Sequence, residues 1–116
     1  CINLNSMSGT SDIGIKFGEE QCGGIRTFNT EKHLFHSPLS YVENVETPAL
    51  ILCGDADYRC PIEQAEQYYV ALKRLDKNVQ FVRYPEQNHQ MLNIGNPNFI
   101  IDYWKRTIKF FNEYLN

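Results

Sequence analysis

Apolar and polar positions fall into four regular stretches that follow a less patterned beginning. Ala49-Leu50-Ile51-Leu52-Cys53 is an uninterrupted apolar run closed by Gly54. A run that short, without alternation, predicts a parallel strand covered on both faces. Thr47-Pro48 precedes it, and a proline holds its predecessor in extended backbone. From Pro61 onward, Ile62, Ala65, Tyr69, Leu72 and Leu75 recur at three- and four-residue steps, with Glu63, Glu66, Gln67, Lys73 and Arg74 mostly off that stripe. This spacing predicts an amphipathic helix, with Pro61 in the first turn, where its missing N–H is harmless. Val79, Phe81, Val82 and Tyr84 predict a second strand, stopped by Pro85. Ile101, Trp104, Ile108, Phe111 and Leu115 then mark one face of the clearest helix in the chain.

Residues 1 to 36 carry weaker signals. Ile2 and Leu4 alternate with polar neighbours, which predicts a short strand. Ser6 to Gly24 is rich in Gly, Ser and Thr and predicts loops with one short helix. Ser37-Pro38-Leu39-Ser40-Tyr41-Val42 predicts a turn leading into a helical turn. Two strands separated by a helix imply a right-handed parallel crossover, and hence an α/β fold. A parallel sheet needs neighbours on both edges and helices on both faces, which two or three strands cannot supply. The segment alone is therefore expected to leave an open strand edge and an exposed apolar helix face. It should pack against a missing N-terminal part, a second chain or a swapped copy of itself.

Bulk properties narrow the function classes. At 116 residues there is room for one domain. The net charge of −3, with the signs interspersed, offers no basic stripe for nucleic acid and no polybasic patch for membranes. No apolar run approaches the roughly 18 residues of a membrane span. The first residues show no positive segment followed by an apolar stretch. Cys1, Cys22, Cys53 and Cys60 form no C-x-x-C pair, so a zinc ribbon or a thioredoxin motif is excluded. Cys53 ends a strand, where thiols sit as small hydrophobes. Reduced thiols and a cytoplasmic setting are expected.

The chemistry gathers in two loops. Gly54-Asp55-Ala56-Asp57-Tyr58-Arg59-Cys60-Pro61 follows the first strand, and Pro85-Glu86-Gln87-Asn88-His89 follows the second. Reactive groups in open α/β sheets collect beyond the carboxyl ends of the strands. Asp57 would hold the imidazole of His89 in one tautomer and stabilise the imidazolium. His89 would take a proton from a serine and return it to the leaving group. Strand, acid loop, helix, strand, histidine loop is the order in which an α/β-hydrolase supplies the last two members of a Ser-Asp-His triad. Asp55, nearer the strand end, reads as a turn former. Arg59 reads either as a substrate-binding fork or as a surface residue paired with Glu63. Tyr58, Tyr68 and Tyr69 read as packing residues. His33 and His36 lack the further ligands that a metal site needs. No Gly-x-Ser-x-Gly turn occurs. Gly9-Thr10-Ser11-Asp12-Ile13 lacks the second glycine, and Ser6 and Ser8 follow no long buried strand, so no nucleophile is assigned.

Five blocks in fixed order carry a family likeness. They are Ser6-Met7-Ser8-Gly9-Thr10-Ser11-Asp12-Ile13-Gly14, Ser37 to Val42, Thr47 to Leu52, Gly54 to Pro61, and Val82-Arg83-Tyr84-Pro85-Glu86-Gln87-Asn88-His89. Together they resemble the C-terminal catalytic domain of the prolyl oligopeptidase family, and within it the acylaminoacyl-peptidase-like branch. The resemblance runs from about residue 4 to the end. It implies that residues 1–116 are the C-terminal portion of an α/β-hydrolase fold with an incomplete sheet. It also implies a serine peptidase acting on short peptides, with Asp57 as triad acid, His89 as triad base and Arg59 holding the substrate backbone. No metal or organic cofactor is implied. The serine elbow, the oxyanion-hole strand and the usual β-propeller would lie before residue 1, so the chain alone is expected to be inactive. Gln90 stands where many relatives carry glycine. Two rival readings stay open: a segment of an esterase or lipase-like hydrolase, and a non-catalytic module that buries its open sheet edge by forming a homo-oligomer.

Overall fold

A computed structural model of the chain describes residues 1–21 and 30–115. In chain order the elements are α1 (Leu4–Thr10), α2 (Gly14–Gln21), α3 (Thr30–Phe35), a 3-10 helix (Pro38–Asn44), β1 (Ala49–Gly54), α4 (Ile62–Arg74), β2 (Val79–Tyr84), α5 (Met91–Ile94) and α6 (Pro97–Tyr114). Both strands run parallel, in register from Ala49 opposite Val79 to Gly54 opposite Tyr84. The strands and the two long helices therefore lie where the apolar pattern puts them. The reactive loops leave the same end of the sheet, because parallel neighbours have their carboxyl ends together.

The opening segment departs from expectation. Ile2 and Leu4 do not form a strand. Leu4 begins a helix, and the Asn3 side chain caps it by accepting from the backbone of Asn5 and Ser6. A long-range contact completes this end. Gln64 of α4 accepts from the backbone N–H of Ile2 and Asn3 at 2.9 and 2.8 Å and donates to the Asn3 carbonyl at 3.0 Å. Gln64 is buried and fully bonded, as a buried amide must be. Ser37 plays a similar part: its hydroxyl accepts from the Leu4 N–H and donates to the His33 carbonyl. Leu4, Met7, Ala65 and Leu72 are among the buried apolar residues, and Leu72 has no exposed surface.

The other flank is open. Gly54 is the one buried residue of β1, and Ala49 to Cys53 are only half-buried. With Tyr103, Thr107, Phe110 and Phe111 of α6, Leu50 to Cys53 line an apolar cavity of about 580 Å3. The expected double cover of β1 is thus incomplete within residues 1–116. α6 starts at a capped Asn96 with Pro97 in its first turn. It is tied to the sheet by Tyr84, whose hydroxyl donates to Asp102 at 3.1 Å and whose ring meets Phe99 and Tyr103. Burial and the Asp102 carboxylate push the Tyr84 hydroxyl up to about 12. The predicted stripe faces away from this contact. Ile101, Trp104, Ile108, Phe111 and Leu115 are each at least half exposed, as expected of a segment with an uncovered helix face. No described helix is long and apolar enough to cross a membrane.

Candidate active site

Backbone geometry brings the two loops together before any side chain contributes. The Asp55 N–H donates to the Tyr84 carbonyl at 3.1 Å and the Ala56 N–H to the Gln87 carbonyl at 3.0 Å. Asp55 adds a side-chain bond, its carboxylate accepting from the Glu86 N–H at 2.6 Å. That bond secures a demanding turn. Pro85 and Glu86 occupy its corner, Gln87 bonds back to Tyr84 at 3.4 Å, and Glu86 has φ 58°. Positive φ at that corner defines a type II turn and normally selects glycine. Gly54 permits the close approach: a Cβ there would stand 2.2 Å from the Gln87 carbonyl oxygen. Asp55 thus forms a turn contact, in keeping with its position at the strand end.

Asp57 and His89 meet beyond these bonds. Nδ1 of His89 lies 2.9 Å from Oδ2 of Asp57. The other carboxylate oxygen accepts from the backbone N–H of Arg59 at 2.9 Å and of Cys60 at 2.8 Å. One oxygen is therefore anchored by the chain entering α4, and the second is aimed at the imidazole. The Asp57 side chain is 9% exposed and that of His89 50%. A carboxylate only accepts, so Nδ1 is the donor, and in the neutral imidazole this leaves the lone pair on the outer nitrogen, Nε2. That is the geometry of an oriented general base.

Arg59 has a partner that spacing did not suggest. Its Nε donates to Oδ1 of Asp12 at 2.6 Å and its Nη2 to Oδ2 at 3.2 Å. The expected alternative, Glu63, instead accepts from Thr10 and Ser6 of α1. Arg59 holds the Asp12 carboxyl below the usual carboxylate range, and Asp12 raises the guanidinium in turn. Asp12, Tyr58, Arg59, Asn88, His89 and Gln90 line a shallow cavity of about 230 Å3. Tyr58 is 72% exposed in this cleft, so it is no packing residue. Asp12 is the residue that sequence reasoning missed. Its block carried family likeness, but nothing in its spacing pointed to an arginine 47 positions away.

The remaining candidates lie elsewhere. Ser8 is buried and donates to the Leu4 carbonyl, and Ser11 donates to the Arg59 carbonyl. Both hydroxyls are engaged as structural donors. His33 is buried in α3, and neither ring nitrogen has a hydrogen-bond partner. Cys1, Cys53 and Cys60 are free thiols, and Cys22 lies outside the described residues. Burial pushes Cys60 up and Cys53 up to about 11.

Comparison with known proteins identifies the family. The model of the prolyl oligopeptidase family matches residues 1–116. The uncharacterized peptidase YuxL of Bacillus subtilis is 42% identical over 113 residues, 97% of this chain and 17% of that protein. The acylamino-acid-releasing enzyme of Rattus norvegicus is 32% identical over 101 residues, 80% of this chain and 14% of that protein. Among solved structures, the uncomplexed acylaminoacyl peptidase of Pyrococcus horikoshii superposes with a TM-score of 0.92 at 30% identity, covering 98% of this chain and 19% of its own. The chain thus spans less than a fifth of the length of these relatives.

Proposed function

Because the chain belongs to the prolyl oligopeptidase family, we propose that residues 1–116 supply the acid and base of a serine peptidase whose nucleophile is carried by a preceding part of the protein. The observation that carries this reading is the Asp57–His89 pair at 2.9 Å, with His89 lining an open cleft. In the proposed reaction, His89 Nε2 takes the proton of the serine hydroxyl as its oxygen attacks the substrate carbonyl. Asp57 stabilises the imidazolium, which then protonates the leaving amine. Water, activated by the same imidazole, hydrolyses the acyl-enzyme. Arg59 holds a carbonyl of the substrate backbone through its free N–H groups.

The substrates proposed are short peptides, with acylated or unblocked N-terminal residues released. Two relatives named as acylaminoacyl or acylamino-acid-releasing enzymes support that choice. The preceding part of the catalytic domain is the proposed partner for the open edge of β1 and the exposed stripe of α6. Free thiols at Cys1, Cys53 and Cys60 support a cytoplasmic setting.

A serine-directed fluorophosphonate probe tests the reading. It should label the full-length protein outside residues 1–116 and leave the 116-residue chain unmodified. In the full-length protein, Asp57→Asn should lower kcat on an aminoacyl anilide about 10⁴-fold, and His89→Ala at least as much. Labelling within residues 1–116, or near-normal turnover by either variant, would refute the proposal. Turnover of aryl esters alone would move the assignment to an esterase.

A further inference from the structure

Asp12 does more than accept a surface ion pair. We infer that Asp12 is a positioning residue that holds Arg59 as a reader of neutral carbonyls and makes the cleft selective against substrates bearing a carboxylate at their acyl end. The inference rests on the reading of Arg59 as the residue that holds the substrate backbone.

Three observations carry it. First, the pair is bidentate, Nε to Oδ1 at 2.6 Å and Nη2 to Oδ2 at 3.2 Å. A guanidinium has five N–H donors in a fixed plane. Asp12 engages two of them, so the other three point away from it and remain for a ligand. Second, the pair is clamped on both sides. The Asp12 N–H donates to the Tyr58 carbonyl at 2.9 Å, and the Ser11 hydroxyl donates to the Arg59 carbonyl at 2.7 Å. The Arg59 N–H is itself held by Asp57, so the guanidinium is referenced to the same carboxylate that orients His89. Third, Asp12 and Arg59 line one cleft with His89.

The consequence is electrostatic. An unpaired guanidinium prefers a carboxylate, which it binds with matched charge and two parallel hydrogen bonds. Next to Asp12 the positive charge is already compensated, and an incoming carboxylate meets a second anion. A neutral peptide carbonyl needs only a donor and suffers no such repulsion. Asp12 stays ionised in this role, because Arg59 favours its charged form. The fixed fork also lowers the entropy lost on binding, since the arginine is ordered before the substrate arrives.

The test uses the full-length protein and two substrates that differ in one charge, acetyl-Ala-Ala-anilide and succinyl-Ala-Ala-anilide. Asp12→Asn should raise KM for the acetyl substrate about tenfold with little change in kcat, the loss expected when a charge-assisted hydrogen bond is misplaced. It should also shift the acetyl-to-succinyl ratio of kcat/KM about tenfold toward succinyl, since the bare guanidinium gains a carboxylate ligand. Asp12→Glu should restore the wild-type ratio. The ratio is internal to one preparation, so partial misfolding does not alter it. Arg59→Met separates this inference from the reading beneath it. Raised KM for both substrates in Arg59→Met, with no further effect of Asp12→Asn in that background, is the expected result. An impaired Arg59→Met with an unchanged ratio in Asp12→Asn overturns the role of Asp12 alone. A normal KM in Arg59→Met overturns the role of Arg59, and the inference with it.

Discussion

The rim that holds Asp57 and His89 and the flank formed by α6 and β1 are built by opposite means. At the rim, polar bonds join the loops: Asp55 to Glu86, Ala56 to Gln87, Asp57 to Arg59 and Cys60, and Arg59 to Asp12. On the flank, four large apolar residues of α6 and its C-cap Leu115 stand at least half exposed, and β1 borders a cavity of about 580 Å3. Hydrogen bonds are directional and are satisfied one partner at a time, so a few well-placed groups complete a rim even when they are distant in sequence. Apolar surface is satisfied only by area, which a two-stranded sheet lacks. The Asp57–His89 geometry is thus fixed by bonds within the segment, whereas its apolar flank is left uncovered.

Cysteine chemistry offers the largest measurable contrast between the two regions. Cys53 belongs to the flank and lines its cavity, yet burial pushes its thiol from 9.0 to about 11. The thiolate is the reactive form, so at pH 8 iodoacetamide should alkylate Cys53 about 100-fold more slowly in the folded chain than in urea. The raised value also sets a sign for stability. The folded state keeps the proton longer than the unfolded chain, so the contribution is full below pH 9.0 and lost as pH rises toward about 11. Comparison with Cys53→Ala isolates it: the parent should lose stability relative to that variant across this window. A relative gain, or alkylation as fast as in urea, would show that the flank leaves the thiol open.

Gly54 probes the rim instead. A Cβ at this position would overlap the Gln87 carbonyl, a backbone atom that cannot move without displacing the loop that carries His89. Gly54→Ala should cost about 1–3 kcal/mol, the usual range for overpacking, measurable by urea denaturation. The His89 imidazole resonances should shift as well. Stability within experimental error of the parent would show that the loops are not tightly stitched.

How far the sequence foretold this structure follows the same division. β1, α4, β2 and α6 were legible because each repeats its apolar pattern within a single element. Asp57 and His89 were legible because a parallel pair forces its loops to one end. What escaped depends on partners far along the chain. Leu4 enters a helix because Gln64 satisfies the backbone ahead of it, 61 and 62 positions away. Asp12 becomes informative only when Arg59 is placed beside it. α5 has four residues, too few for any periodicity to register. The pattern on α6 was read correctly as a stripe, but its spacing did not show that Tyr103, Thr107 and Phe110, with Phe111 at the stripe's edge, line the cavity against β1.

The smallest effect bears most directly on what the flank is for. Ile108 sits mid-stripe and is 58% exposed. In the 116-residue chain, Ile108→Lys should change stability by no more than about 0.5 kcal/mol, as for other surface substitutions. In the full-length protein, a stripe covered by the rest of the catalytic domain would bury the new ammonium. The same substitution should then cost about 2 kcal/mol or more. Paired thermal or urea denaturation of the two proteins measures the difference. Equal, negligible costs in both would mean that the stripe stays exposed in the whole protein, and the proposed cover for this flank would have to be abandoned. The rim's geometry would survive that outcome, because none of its bonds passes through α6's outer face.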